Sequence, residues 1–552
     1  MLRLTRYAAL FSFAFVISPC LPSCVPLTAQ TASYATRVAQ AVSGKVMRAH
    51  LEFLADDALE GRGTATRGGL LASKYIASEF ERMGLEPAGD SGSYFQRVPI
   101  IALTPQPTMR VTAPTATALK FRDDYVLWSM RDEADVQLHA PAVFVGYGIV
   151  APEYQWDDYR GTDVKGKIVV CLVNDPGLRD STIFKGRILT YYGRWTYKIE
   201  EAARHGAAGI LMIHTTESAT YPWTTVTGSW TGEQVRLERP ATSLVIAGWI
   251  KDSVAGMLFK SAGADLSALT TAAATRGFAP APLTLEFDAG VRSVVRRSST
   301  SNVIGRLPGR GPRANEAILI GGHYDHLGIR QPVDGDSIYN GAEDNASGTA
   351  AVITLAQAFV SNRAGAGRSI LFVAFGAEES GLLGSQAFAE TPPWPLKRLA
   401  AVLNMDVLNL YGRTRDVAAL GVEQSTLGAI YRRAAAAEGL KVVVNREALI
   451  QGSFFRSDHF PLAKAGVPAL SIEGGLDFVG KPTGWGERQR QEYTDKRYHQ
   501  PQDEILPWFT MDGAVQQMRT VARTAIAVAQ ATDQPTWLNG SEFKSAGEAR
   551  IR

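Results

Sequence analysis

From about Asn302 the chain reads as strand, loop and helix in repeated alternation, and this pattern limits the fold more than any other feature of the sequence. EAILIGGH is a strand, SGTAAVITLAQAFV a helix, SILFVAFGA a strand and SGLLGSQAFAE a helix. LAAVLNMDVL, STLGAIYRRAAAAEGL and VPALSIE continue the series as strand, helix and strand, and DGAVQQMRTVARTAIAVAQ reads as a closing helix. Near-continuous apolar strands alternating with helices predict an α/β fold: a mostly parallel, mixed sheet sandwiched by helices on both faces. In such sheets, sites form outside the carboxyl ends of the strands.

Residues that bear chemistry gather at those ends. His323 follows EAILIGG, the pair Glu378 and Glu379 follows SILFVAFGA, and Asp406 follows AVLNM. Asp344, in GAEDNASG, lies in a Gly/Asn loop before a helix, where capping is its ordinary alternative role. His499 lies in a late loop, RYHQPQDE. Two imidazoles and three carboxylates suit zinc, and five residues can serve two ions if one carboxylate bridges them. A metal pair about 3.5–4 Å apart can act on a carbonyl oxygen and a water together.

The rest of the chain frames this half. At 552 residues it is too long for one ordinary core. Apolar residues at 45% and charged residues at 20% place it among globular rather than disordered chains. Residues 43–86 carry helical periodicity in KVMRAHLEFLADDAL and LLASKYIASEFERMGL. The Gly-rich EGRGTATRGG between them lacks the GK[ST] ending and the preceding strand of a phosphate loop. From about Thr104 to Thr284 short strand-like runs (PAVFVGYGIV, KIVVCLV, AGILMIH, TSLVIAG) alternate with loops and one helical stretch, YKIEEAARHGA. This reads as a β-rich module inserted into another domain. Its His139, His205 and His214 have no set of partners at metal spacing and are read as structural.

At the N-terminus Arg3 and Arg6 precede an apolar run from Tyr7 to Ile17, then Pro, Ser and small residues. This is the layout of a signal peptide cleaved near Ala29, and the run is shorter than the ~20 residues of a membrane-spanning helix. The expected destination is the periplasm or the extracellular space, with no stable membrane insertion after cleavage; lipidation at Cys24 is the alternative. Removal of residues 1–30 takes the net charge from +3 to about +1. A near-neutral chain has no electrostatic reason to bind nucleic acid. Cys171 would be the one cysteine left, which excludes an intramolecular disulfide.

Taken together, GGHYDHLG, NGAEDNASGTAA, VAFGAEESGLLGS, LNMDVLN and RYHQPQDE resemble the co-catalytic di-zinc aminopeptidase family. That family includes bacterial secreted leucyl aminopeptidases and, more distantly, glutamate carboxypeptidases. The resemblance runs from about Asn302 to Ala531. VFVGYGIVAPEYQWDDY, GKIVVCLVNDPG and EAARHGAAGILMIH look like a protease-associated domain. It implies a zinc-exopeptidase fold and these boundaries: signal peptide 1–30, first part of the catalytic domain 35–115, insertion 116–285, main catalytic part 286–535, flexible tail 536–552. It implies two zinc ions, with Asp344 bridging, His323 and Asp406 on one ion, and Glu379 and His499 on the other. Glu378 would be the general base, Asp325 would orient His323, and Tyr498 would stabilise the oxyanion. His326, Asp458 and His459 stay outside the metal set, and Glu343 replaces the Asp common before the bridging residue.

The implied activity is hydrolysis of the N-terminal peptide bond of peptides or proteins by a metal-bound hydroxide. A carboxypeptidase or one-zinc glutaminyl-cyclase-like enzyme is the alternative on the same scaffold, and a receptor-like relative without metals is the non-enzymatic one. Side-chain preference, oligomeric state and the choice of zinc over cobalt or manganese stay open at this level.

Overall fold

The computed structural model describes residues 27–363 and 367–552. The expected signal peptide lies outside the described residues except for its last four positions, which fall in helix α1 (Leu27–Ala41). Helix α2 (Gly44–Leu54) starts at Ser43, whose side chain accepts the N–H of Val46, and α3 (Arg67–Arg82) starts at Thr66, whose side chain accepts that of Gly69. The Gly-rich loop between them is a structural joint. Arg62 in that loop is fully buried and donates to the carbonyls of Leu54, Tyr324, Asn340 and Gly341. Gly68 has no room for a side chain, because a Cβ there would meet the Leu59 carbonyl oxygen at 1.8 Å.

Two long strands organise the molecule. Strand β1 (Phe95–Ala113) runs antiparallel to β7 (Ala281–Leu307), from Phe95 opposite Val303 to Ala113 opposite Glu286. Between them come β2 (Tyr125–Ser129), β3 (Asp135–Phe144), β4 (Ile168–Leu172), β5 (Gly209–His214) and β6 (Ile246–Lys251). Strands β3 to β6 pair in parallel, β2 closes their outer edge antiparallel to β6, and β3 pairs antiparallel with β7. This region holds more helix than its sequence suggested: Trp223–Trp230, Asp252–Ser261 and Leu266–Ala273 join the expected Trp195–Arg204. These short helices have too few turns for apolar periodicity to stand out, and one is set by Asp265, which accepts the N–H groups of Ser267 and Ala268.

After β7 come β8 (Ala317–His323), helix α4 (Ser347–Ser361), β9 (Ser369–Phe375), β10 (Leu399–Met405), β11 (Asp416–Leu420), β12 (Lys441–Val443), β13 (Ala469–Gly474) and helix α5 (Asp512–Gln530). The sheet runs β12-β11-β13-β10-β8-β9-β7 and continues through β7 into β3-β4-β5-β6-β2. Pairs β8–β9, β8–β10 and β10–β13 are parallel, β11–β13 is antiparallel, and helices cover the sheet, as the alternation predicts. Every residue of β8, β9 and β10 is buried. Alternate side chains enter opposite cores: Ile318, Ile320 and Phe372 pack with the helices of one face, Leu319, Leu371 and Val373 with the other. Each such side chain contributes about 1.5–3 kcal/mol.

The tail corrects an expectation. The sequence predicts a flexible tail over 536–552, yet Trp537 and Phe543 are buried in the second core with Phe454 and Phe460. Trp537 donates Nε1–H to the Gly466 carbonyl, and Arg550, on helix α6 (Lys544–Ile551), donates to Gly466, Leu396 and Leu399. Two scattered aromatic residues in a polar segment leave no periodic trace, so the polarity concealed the packing.

Candidate active site

Three neighbouring parallel strands end at one edge of the sheet and present the site. His323 is the last residue of β8, Asp406 directly follows β10, and Glu378 and Glu379 follow β9 on a short turn in which Ala377 takes φ 60°. Asp344 comes from the loop entering α4, with φ −110° and ψ 95°, and Ala346 rather than Asp344 holds the capping position. His499 reaches the same edge from the turn after helix Trp485–Lys496.

Asp344 stands in the middle. Its Oδ1 lies 3.3 Å from His323 Nε2 and its Oδ2 lies 3.3 Å from His499 Nε2. On one side His323 Nε2 meets Asp406 Oδ1 at 3.2 Å; on the other His499 Nε2 meets Glu379 Oε2 at 3.1 Å. The five residues named from the sequence as metal ligands are therefore together. His326, left out there, is close as well: its Nδ1 lies 2.8 Å from Glu379 Oε1, and it groups with Asp344 and Glu379 as a set able to hold a cation. His323, Asp344 and Asp406 form the second such set, with Asp344 shared.

The electrostatics fit cations. Against burial, which would lower it, Glu379 and Asp344 push the His499 imidazole up to about 10. Against burial, which would raise it, His499 and His326 hold the Glu379 carboxyl down to about 2. The carboxylate is held ionised and the imidazole is drawn toward positive charge, and this N/O donor set is the kind zinc takes. Glu378 is 9% exposed, and its Oε2 lies 3.9 Å from His323 Nε2. Burial raises its carboxyl well above the ordinary range; His323 opposes the shift, and Glu379 and Asp406 add to it.

Supporting contacts orient these groups. His323 Nδ1 lies 3.1 Å from the main-chain oxygen of Asp325, so Asp325 reaches that ring through its backbone. Its carboxylate instead accepts the Glu378 N–H at 3.0 Å and the Thr64 hydroxyl at 3.0 Å, which fixes the Glu378 turn. Ser457 Oγ donates to Asp406 Oδ2 at 2.6 Å. Tyr498 stacks on His499 with ring centroids 3.9 Å apart and is 44% exposed. Asp458 and His459 are fully buried and belong to neither cation set. In the region between the long strands, His205 stacks on Tyr159 and His214 Nε2 meets the Tyr221 carbonyl, as structural histidines do.

Sequence reasoning missed Ser457, Thr64 and Asp503. Asp503 is fully buried and accepts the N–H groups of Glu343 and Asp344 at 3.0 Å each. It stands four residues after His499 in RYHQPQDE, and that proximity is the one signal that could have marked it.

Residues 302–525 match the family model described as peptidase family M28. Aminopeptidase YwaD of Bacillus subtilis is 28% identical over 216 residues, 38% of this chain and 40% of the relative. Leucine aminopeptidase 1 of Pyrenophora tritici-repentis is 26% identical over 254 residues, 44% of this chain and 59% of the relative. The chain thus aligns with less than two thirds of these relatives' length. Among solved structures, an aminopeptidase from Aneurinibacillus sp. strain AM-1 is 18% identical, with a TM-score of 0.45 over 91% of this chain and 96% of that one.

Proposed function

We propose that the chain, whose residues 302–525 match the peptidase family M28 model, is an exported, zinc-dependent aminopeptidase that hydrolyses the N-terminal peptide bond of peptides or proteins. The observation that carries this reading is the position of Asp344, whose two carboxylate oxygens face two separate imidazole–carboxylate groups at 3.3 Å each. His323 and Asp406 would hold one zinc, Glu379 and His499 the other, and Asp344 both; His326 would steady Glu379 from its free side. Zinc bound by these residues would supply Lewis acidity, enough to polarise a carbonyl and acidify water.

The protein's own contribution is proton handling and orientation. Glu378 is buried on the rim of the ligand cluster with its backbone fixed by Asp325. Its carboxylate takes the proton of the attacking water as the C–O bond forms, then delivers that proton to the departing amine nitrogen as the C–N bond breaks. A carboxyl whose affinity for protons is raised by burial serves both steps. Tyr498, exposed beside His499, would meet the developing oxyanion.

Residues 116–285 are read as an inserted protease-associated domain that roofs the cleft. Supporting this, Arg456 Nη2 donates to Thr220 Oγ1 of that region at 3.4 Å, one residue before Ser457, which holds Asp406. Export is supported by Arg3 and Arg6 ahead of an apolar run. No described helix is long and apolar enough to cross a membrane.

Replacement of Glu378 by Gln tests the mechanism. The variant is expected to keep its zinc content and melting temperature while turnover of aminoacyl chromogenic substrates falls by about 10²–10⁴-fold. Turnover within a factor of a few of the parent would remove Glu378 from the proton path.

A further inference from the structure

The turn that carries His499 is fastened to the loop that carries Asp344 by buried charged side chains whose hydrogen bonds do not go to the ligating atoms. Arg497 Nη1 donates to Glu343 Oε1 at 2.5 Å, and the Tyr411 hydroxyl donates to the same oxygen at 2.7 Å. Asp503 accepts the Glu343 N–H with Oδ1 and the Asp344 N–H with Oδ2, and its carbonyl accepts the Ala342 N–H at 2.9 Å. Glu343, Arg497 and Asp503 are respectively 1%, 7% and 0% exposed. The Arg497 guanidinium also lies 5.6 Å from the Tyr411 ring and 5.3 Å from the Tyr493 ring.

Burial of such a pair yields little net stability, because desolvation offsets the attraction. Geometry accounts for it better. His499 has φ 57°, a left-handed conformation that strains a non-glycine residue and persists only when its surroundings hold it. Arg497, two residues before, and Asp503, four residues after, hold that turn from both sides. The other half of the site needs no such device: His323 ends a strand paired on both sides, and Asp406 directly follows another.

We propose that Glu343, Arg497 and Asp503 are positioning residues that hold His499 against Asp344, and so set the metal affinity of the half formed by Asp344, Glu379 and His499 more than that of the other half, which shares Asp344 but takes His323 and Asp406 from the sheet. This inference rests on the two-ion reading above. Glu343 has the reach required: an aspartate would fall one methylene short of Arg497.

The experiment titrates zinc into the metal-stripped full chain against a chromophoric chelator and records thermal unfolding of the same metal-free protein. The double variant Glu343→Gln/Arg497→Met removes both charges together, so neither is left buried alone. Glu343→Asp keeps the charge and shortens the reach, a milder probe should the double variant fold poorly. The wild type is expected to bind two equivalents. In the double variant one equivalent should be retained within about threefold and the other weakened by about 10–100-fold, with a smaller loss of the same equivalent in Glu343→Asp. Equal weakening of both equivalents, or unchanged affinities with only a lower melting temperature, overturns the proposal. A wild type that binds one equivalent overturns the two-ion reading and the clamp with it; two equivalents in the wild type, with both affinities unchanged in the variants, overturn the clamp alone.

Discussion

At the scale of single residues, three of the five candidate ligands, His323, Glu379 and Asp406, stand out in the sequence because each ends or follows an apolar run, whereas Asp344 and His499 lie in loops and are marked only by the joint pattern of motifs. His326 stays outside the set read from the sequence, because five residues already complete the ligands of two ions. In the fold it lies 2.8 Å from Glu379, on the side opposite His499. Its replacement by Ala is expected to weaken zinc binding by about 10–100-fold without abolishing it, measured by chelator competition. His459 offers a prediction about stability. Burial holds its imidazole down to about 3, from 6.5. The unfolded chain takes up a proton near 6.5 and the folded chain does not, so stability is full above that pH and falls as pH drops from about 6.5 toward 3. The contribution to the slope reaches about 1.4 kcal/mol per pH unit. Urea unfolding at pH 7 and pH 5.5 should show a smaller difference for His459→Gln than for the parent; equal differences would contradict the assignment.

At the scale of elements, the catalytic strands and helices were legible because β8, β9 and β10 are buried on both faces and so read as continuous apolar runs. The extent of β1 and β7 was not, since their exposed stretches alternate with charged residues that resemble loop composition. The tail was hidden for the same kind of reason: Trp537 and Phe543 are isolated anchors, not a periodic stripe. Glu542, next to Phe543, accepts the Tyr191 N–H at 2.6 Å and pairs with Lys185 at 3.4 Å, so the tail also contacts the region between the two long strands. Phe543→Ala is expected to destabilise the protein by about 3–5 kcal/mol, read as a lower urea midpoint. A midpoint unchanged within error would show that the tail is not part of the core.

At the scale of the whole molecule, one sheet joins two regions through β7, and the site lies at the carboxyl edge of one of them. The strand order is seen only in the fold, whereas the mostly parallel sheet and the edge followed from the alternation of elements. The clamp between Glu343, Arg497 and Asp503 did not, because it joins residues far apart in sequence and only the fold brings them together. In the proposed function this edge removes residues from free N-termini by metal-assisted hydrolysis. The most direct test compares one peptide with its N-acetylated form, following release of the first residue by mass spectrometry with and without a chelator. Release from the free peptide alone, lost on chelation and regained with zinc, is the predicted result. Equal cleavage of the acetylated peptide, or release that survives chelation, would contradict it.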